Sequence, residues 1–444
     1  MARRWMTGIL GLLVAAVAAW PGTAQSPPRQ EPRTGVHLGV ATCLGSNCHG
    51  AVDRPPGSAV AGNEYIIWSK RDKHHDAYRV LTEDRAIRMA RAIGLSDAVN
   101  QKLCLDCHAD NVPANLRGPE FHLQDEGVGC EACHGGASGW LGIHISGATH
   151  QQNVQAGLYP TEQPDKRAER CLGCHFGDET KFVDHRLIGA GHPRLRFELD
   201  TFTAIQPAHF QVTKSYVERK GRITDLQVWA TGQAIALVKR MDALLDPKRA
   251  RHGLFPEFVF YDCQSCHHVY DSLHAPRPTM TGLGPGTVKF NDANAVMLRV
   301  AAARVAPAAA RALSEHMLAL HRASNDDWAG MQHEAAAVRE AAASLASALT
   351  HREFTHDDMQ AMAETVIALG LEAGDAQFSH DEQIAMALGA IRAGLVSAGY
   401  LNEAQTQASA AALDALNNAF PNEETLRADA FTKALREFQR ALGR

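Results

Sequence analysis

The chain has 444 residues, a formal charge of −5 and only 6% aromatic residues. That length allows two or three domains. The mild acidity argues against a nucleic-acid partner and leaves small molecules or a protein with a basic face.

Residues 1–24 read as a secretory signal. Arg3 and Arg4 form the charged head, Met6 to Trp20 the apolar run, and Gly22-Thr23-Ala24 the small-residue cleavage site. An uncleaved membrane anchor is the competing reading, but the run is short for a span. No later segment is apolar enough to cross a bilayer, so no membrane span is expected after cleavage. Residues 25–36 are expected to be a disordered lead-in.

Ten cysteines follow, in five pairs, and a histidine comes after the second member of each. The pairs are Cys43/Cys48-His49, Cys104/Cys107-His108, Cys130/Cys133-His134, Cys171/Cys174-His175 and Cys263/Cys266-His267. Four residues separate the first pair; two separate each of the others. Two thiols at that spacing reach the two vinyl groups of one porphyrin, and the adjacent histidine reaches its iron. Disulfides or zinc would leave five Cys-His dipeptides unexplained. The expected cofactor is haem c, five copies covalently attached, with the five motif histidines as proximal ligands. Such groups are attached outside the cytoplasmic membrane, so a periplasmic or otherwise exported protein is expected. Porphyrins filling the core also suit the low aromatic content.

In chain order, Glu64 to Leu81 follows the first motif and offers Tyr65, Trp68, Tyr78 and Leu81 as an apolar set for a porphyrin. His74 or His75 is a distal ligand there, with His74 preferred. Residues 83–103 read as a short helix that delivers the second motif. The loop before the third motif contains His122, read as a surface residue. After that motif, Trp140 and Leu141 should cover a haem edge, and His144 and His150 are both candidate ligands in Gly-rich sequence. Beyond the fourth motif, His185 and His192 flank Gly189-Ala190-Gly191 and precede Pro193. That step reads as a turn, which would let them serve two different haems. Arg186, Arg194 and Arg196 stand ready for propionates or for solvent.

Residues 223–246 form an amphipathic helix with Trp229 as a packing residue. An aromatic run, Phe255 to Tyr261, leads to the fifth motif. The Pro/Gly-rich residues 276–290 mark a domain boundary between a haem domain, 37–275, and an alanine-rich segment, 291–444. The latter is expected to be an α-helical bundle of five or six helices. Helix starts are visible at Thr355, Ser379 and Pro421. The bundle histidines, His321 and His380 among them, are expected to be solvated. The fold class is thus mainly α: a loop-rich multihaem domain followed by a helical bundle.

If every iron takes two histidines, five distal ligands are needed. His74, His144, His150, His185 and His192 match that number, with His122, His209, His252, His268 and His274 in reserve. An iron with two protein ligands only passes electrons, whereas an open position permits chemistry. The expected function is therefore electron relay between redox proteins acting as donor and acceptor. The alternative is an oxidoreductase acting on a small nitrogen or sulfur species at one five-coordinate haem. The bundle is a candidate docking module for a larger complex.

Residues 37–275 resemble the multihaem cytochrome c-554 family. The likeness rests on W-S-K-R-D-K-H-H-D-A-Y, G-V-G-C-E-A-C-H-G-G, W-L-G-I-H and H-R-L-I-G-A-G-H-P-R-L-R-F-E-L. It implies a loop-rich helical domain with haems in closely stacked pairs, export, and electron transfer. It also implies distal ligation at His74, His144, His150, His185 and His192. The fifth motif and the helical segment depart from the four-haem members.

Overall fold

A computed structural model describes residues 35–54, 58, 60–252, 255–267, 283, 287–324, 327–372, 378–422 and 425–443. The signal, most of the lead-in, His268, His274 and much of the Pro/Gly stretch lie outside the described residues. Helices dominate the fold. Arg251–His252 pairs antiparallel with Phe255–Pro256, in the register Arg251 to Pro256 and His252 to Phe255.

The motif region is built from short helices, and three of them end on a motif histidine: Lys102–His108, Cys130–His134 and Pro164–His175. Helical spacing puts two cysteines three apart on one face, and the following histidine emerges beside them. The first and fifth motifs are built differently. The first turns at Gly45, whose carbonyl accepts from Cys48 N at 2.8 Å. The fifth is a single 3₁₀ turn, Cys263–Ser265, with Cys266 at its end. The helix expected over 83–103 is interrupted. Asp84–Ala92 ends before Gly94, whose φ of +82° favours glycine, and helix resumes at Lys102.

A buried carboxylate ties the third motif to the first. Glu131, 3% exposed, accepts hydrogen bonds from the backbone of Leu38, Gly39 and Ala137 at 2.8, 2.7 and 2.6 Å. Trp68 Nε1 donates to the Val128 carbonyl at 3.1 Å and fixes the Glu64–Arg71 helix on the same motif. Tyr78 and Leu81, expected against a porphyrin, are buried in a small protein core with Ala86, Ala90 and Ala98.

The main core lies further along. The helix Asp225–Leu245 starts on a capping box of Thr224 and Gln227. It is apolar almost all round, which marks a helix enclosed by its neighbours. One part packs on Ala168, Leu172 and Leu199, under the fourth motif. Trp229, Leu237 and Met241 sit in a single core with Met297, Leu345 and Ile391. Gly232 makes this crossing possible, because a Cβ there would lie 2.6 Å from the Leu199 Cβ. Among the described residues, seven further helices complete the core, from Ala293–Val305 to Ala428–Ala441, where five or six were expected. The helix His356–Glu372 begins where the Thr355 signal lies, with Asp358 N donating to Thr355 Oγ1 at 3.2 Å. The last helix begins at Ala428, later than the Pro421 signal.

Candidate metal centres

Each motif histidine faces a second histidine. His49 faces His144 with ring centroids 6.1 Å apart, and His108 faces His192 at 6.4 Å. His134 faces His209 at 6.4 Å, His175 faces His74 at 6.1 Å, and His267 faces His185 at 6.2 Å. Two imidazoles bound on opposite sides of one metal through bonds of about 2 Å have centroids about 6 Å apart. All five pairs fit that gap. We number these candidate centres 1 to 5 in motif order.

The ring nitrogens fit as well. The Nδ1 atoms of His108 and His192 contact the carbonyls of Ala77 and Pro193 at 3.0 and 2.7 Å. A carbonyl only accepts, so Nδ1 carries the proton and Nε2 keeps the lone pair that could bind a metal. His49 Nδ1 donates to Glu64 at 3.0 Å and His74 Nδ1 to Asp72 at 2.8 Å. Burial pushes His134 down to about 3 and His175 to about 4, which favours the neutral imidazole that a metal requires. Burial opposes ionisation of Asp72, but hydrogen bonds from His74 and Gln206 hold it down at about 2.

No disulfide joins any of the ten cysteines. Cys43 lies close enough to Cys130 for the two thiols to interact, and so does Cys107 to Cys174. Centre 1 therefore abuts centre 3, and centre 2 abuts centre 4. The thiols are not equally enclosed by the protein. Cys48, Cys263 and Cys266 are exposed, whereas the other seven cysteines are half-buried. The local backbone accounts for it. Cys48 ends the Gly45 turn and Cys266 ends a 3₁₀ turn, whereas the thiols of centres 2 to 4 belong to helices packed within the fold.

Exposed apolar side chains flank the pairs: Leu44 beside Cys43, Ile143 beside His144, Phe210 beside His209 and Phe258 edge-on to His185. They offer the apolar contact that a porphyrin face demands. Trp140, 7% exposed, lies edge-on to His144 at 5.6 Å.

Among the expected distal ligands, His74, His144, His185 and His192 each face a motif histidine. His185 and His192 serve two different centres, because Gly191 at φ +108° turns the chain between their rings. His150 does not face one. It opens the helix His150–Ala156, capped by Thr149 and Gln152, and its Nε2 bonds Glu162 at 2.8 Å. The ring opposite His134 is His209, from the reserve. His75 packs edge-on to Trp68 at 4.7 Å.

Two other expectations are corrected. Arg194 and Arg196 are engaged by Glu382 at 2.9 and 3.1 Å, joining the centre 2 ligand loop to the helix Phe378–Ser397. His321 and His380 are not solvated. Their Nε2 atoms meet Asp292 at 3.0 and 2.6 Å, with His321 only 1% exposed. Glu64, Asp72 and Glu131, which support the histidines and motifs, were not singled out by spacing.

Paired thiols that deliver histidines to facing histidines across an iron-sized gap define a c-type cytochrome. Residues 43–135 match the family model for cytochrome c554 and c-prime. The match supports a c-type cytochrome that acts in electron transfer with covalently bound haem c. The match takes in the first three motifs; the fourth and fifth lie beyond it. No curated protein and no solved structure matches the chain. No described helix is long and apolar enough to cross a membrane.

Proposed function

We propose that the chain is an exported, periplasmic five-haem cytochrome that relays electrons between donor and acceptor redox proteins. The observation that carries this reading is the set of five facing histidine pairs. Haem c, when attached, supplies one-electron exchange between ferric and ferrous iron. The chain's part is to hold five such groups by the ten motif cysteines and to cap both axial positions. His144, His192, His209, His74 and His185 are the distal ligands of centres 1 to 5.

A second ring stands where a small nitrogen or sulfur substrate would bind, so relay is favoured over chemistry at an open iron. The thiol contacts between centres 1 and 3, and between 2 and 4, support closely stacked pairs. Centre 5 shares His185 with the segment that also carries His192 of centre 2, which extends the path. The C-terminal helices act as a scaffold: they share a core with Asp225–Leu245, which underlies the fourth motif.

The test is intact and peptide mass of the exported protein. Five haem masses are expected, one on each motif peptide, together with a spectrum free of high-spin iron. Fewer than five would overturn the count, and a high-spin species that binds cyanide or nitric oxide would overturn relay in favour of catalysis.

A further inference from the structure

Within each abutting pair of centres, the axial histidines are supported unequally. In the pair of centres 2 and 4, His108 and His192 donate to the neutral carbonyls of Ala77 and Pro193. His74 of centre 4 donates instead to a carboxylate, Asp72. In the pair of centres 1 and 3, His49 of centre 1 donates to the Glu64 carboxylate, while His209 of centre 3 feels Asp72 and Glu64 only through space. One helix, Glu64–Arg71, carries both carboxylates: Glu64 is its first residue and Asp72 its C-cap.

A carboxylate on Nδ1 draws the proton away from the ring and makes Nε2 a stronger donor to the metal. Stronger donation stabilises the ferric state and lowers the potential, and the carboxylate charge acts the same way. A backbone carbonyl does much less of either. We propose that Glu64 and Asp72 are potential-setting residues, making centres 1 and 4 the low-potential members of their pairs. The inference rests on the haem assignment above.

Asp72 is built for this role. It is 6% exposed and accepts from His74 N at 3.0 Å, His74 Nδ1 at 2.8 Å and Gln206 Nε2 at 2.8 Å. Glu64 is held less fully, by Gly62 N at 3.2 Å and His49 Nδ1 at 3.0 Å, with its side chain 18% exposed. Its influence should therefore be smaller. An opposing charge beside centre 4 is Lys181, whose Nζ lies 3.3 Å from Cys174 Sγ. It also acts on Cys107, so it bears on both members of that pair and does not separate them.

The experiment is potentiometry of the five-haem protein followed by electron paramagnetic resonance, in wild type, Asp72→Asn, Asp72→Glu and Glu64→Gln. Crossed rings at centre 4, 88° apart, and near-parallel rings at centre 1, 13° apart, give distinguishable low-spin signals. Asp72→Asn should raise one of the three crossed-ring signals by at least tenfold in its reduced-to-oxidised ratio at fixed potential, 59 mV for one electron, and leave the other two in place. Asp72→Glu should restore the wild-type value. Glu64→Gln should raise one of the two near-parallel signals, by less, and leave the other in place.

Variants that keep five haems and low spin but move no step overturn the proposal and leave the haem assignment standing. A wild-type protein without haem on the Cys171/Cys174 peptide overturns the assignment itself. If Asp72→Asn releases His74 and turns high-spin, Glu64→Gln decides: a raised step upholds the proposal and an unmoved one overturns it.

Discussion

Replacing His209 and His150 one at a time separates long-range placement from local sequence. The His209 ring lies 6.4 Å from His134 and crosses it at 88°. His209→Ala leaves the third motif with one axial histidine. One iron in five should then turn high-spin, or take up an exogenous imidazole that restores the low-spin signal. His150→Ala breaks only the 2.8 Å contact to Glu162, a carboxylate 6% exposed. Leaving that group without its partner should cost about 1–3 kcal/mol of stability and no change in spin state. The assay is integrated electron paramagnetic resonance with a denaturation curve for each variant. A high-spin fraction in His150→Ala, with His209→Ala wholly low-spin, would refute the assignment of His209.

Ring geometry makes a second prediction. Crossed imidazoles leave the iron d orbitals nearly degenerate, whereas parallel ones split them. Centres 2, 3 and 4 cross at 84°, 88° and 88°, and centres 1 and 5 lie at 13° and 26°. Three large-g signals and two rhombic ones are expected; five alike would contradict the ring placement. A third concerns the scaffold. Burial opposes the charged forms of Asp292 and His380, yet their contact holds Asp292 below its ordinary 3.8 and His380 above its ordinary 6.5. Asp262 and Asp381 add to the hold on His380. The pair therefore stabilises most between those two values. Its contribution fades as pH falls through the depressed Asp292 range, and as pH rises above 6.5 through the raised His380 range. Asp292→Asn should cost about 3–5 kcal/mol near pH 6 and flatten the alkaline slope. Urea unfolding across pH measures both, and an unaltered slope would show that another group titrates.

The motifs were legible because their chemistry is local: two thiols and a histidine within a few residues define one attachment. How deeply each motif sits was not legible, since nothing in the spacing of Cys263 and Cys266 separates them from the enclosed pairs. Distal ligands are set by folding between distant segments, so spacing yields only candidates. His74 gave a usable signal in its apolar surroundings. His150 misled, although Thr149 and Gln152 already wrote a capping box that commits it to a helix start. His209 stood between Pro207 and Phe210, with no glycine-rich approach to draw notice. The His321–Asp292–His380 cluster was invisible for the same reason, because its members come from three separate helix starts and ends. The helix Asp225–Leu245 was plain as a helix. Its packing against both the fourth motif and the C-terminal core was implied only by having apolar residues on nearly every face.

That two-sided helix explains how a motif region with little protein core holds its shape. Among the described residues between Gly35 and Arg222, the clustered buried apolar side chains form two small groups, one around Tyr78 and Leu81, the other around Ala168 and Leu172. Burial of that extent cannot offset the ordering of so long a segment. The remainder must come from apolar contact with the porphyrins, from backbone ties such as Glu131, and from anchorage on Asp225–Leu245. Groups that complete a fold only when bound contribute their binding free energy to its stability. The anchored side should therefore stay ordered independently of the cofactors, namely centre 4 and the Arg194–Glu382 junction. Centre 1 lies farthest along the chain from that helix, has the widened motif and leaves Cys48 exposed, so it should depend most on attachment.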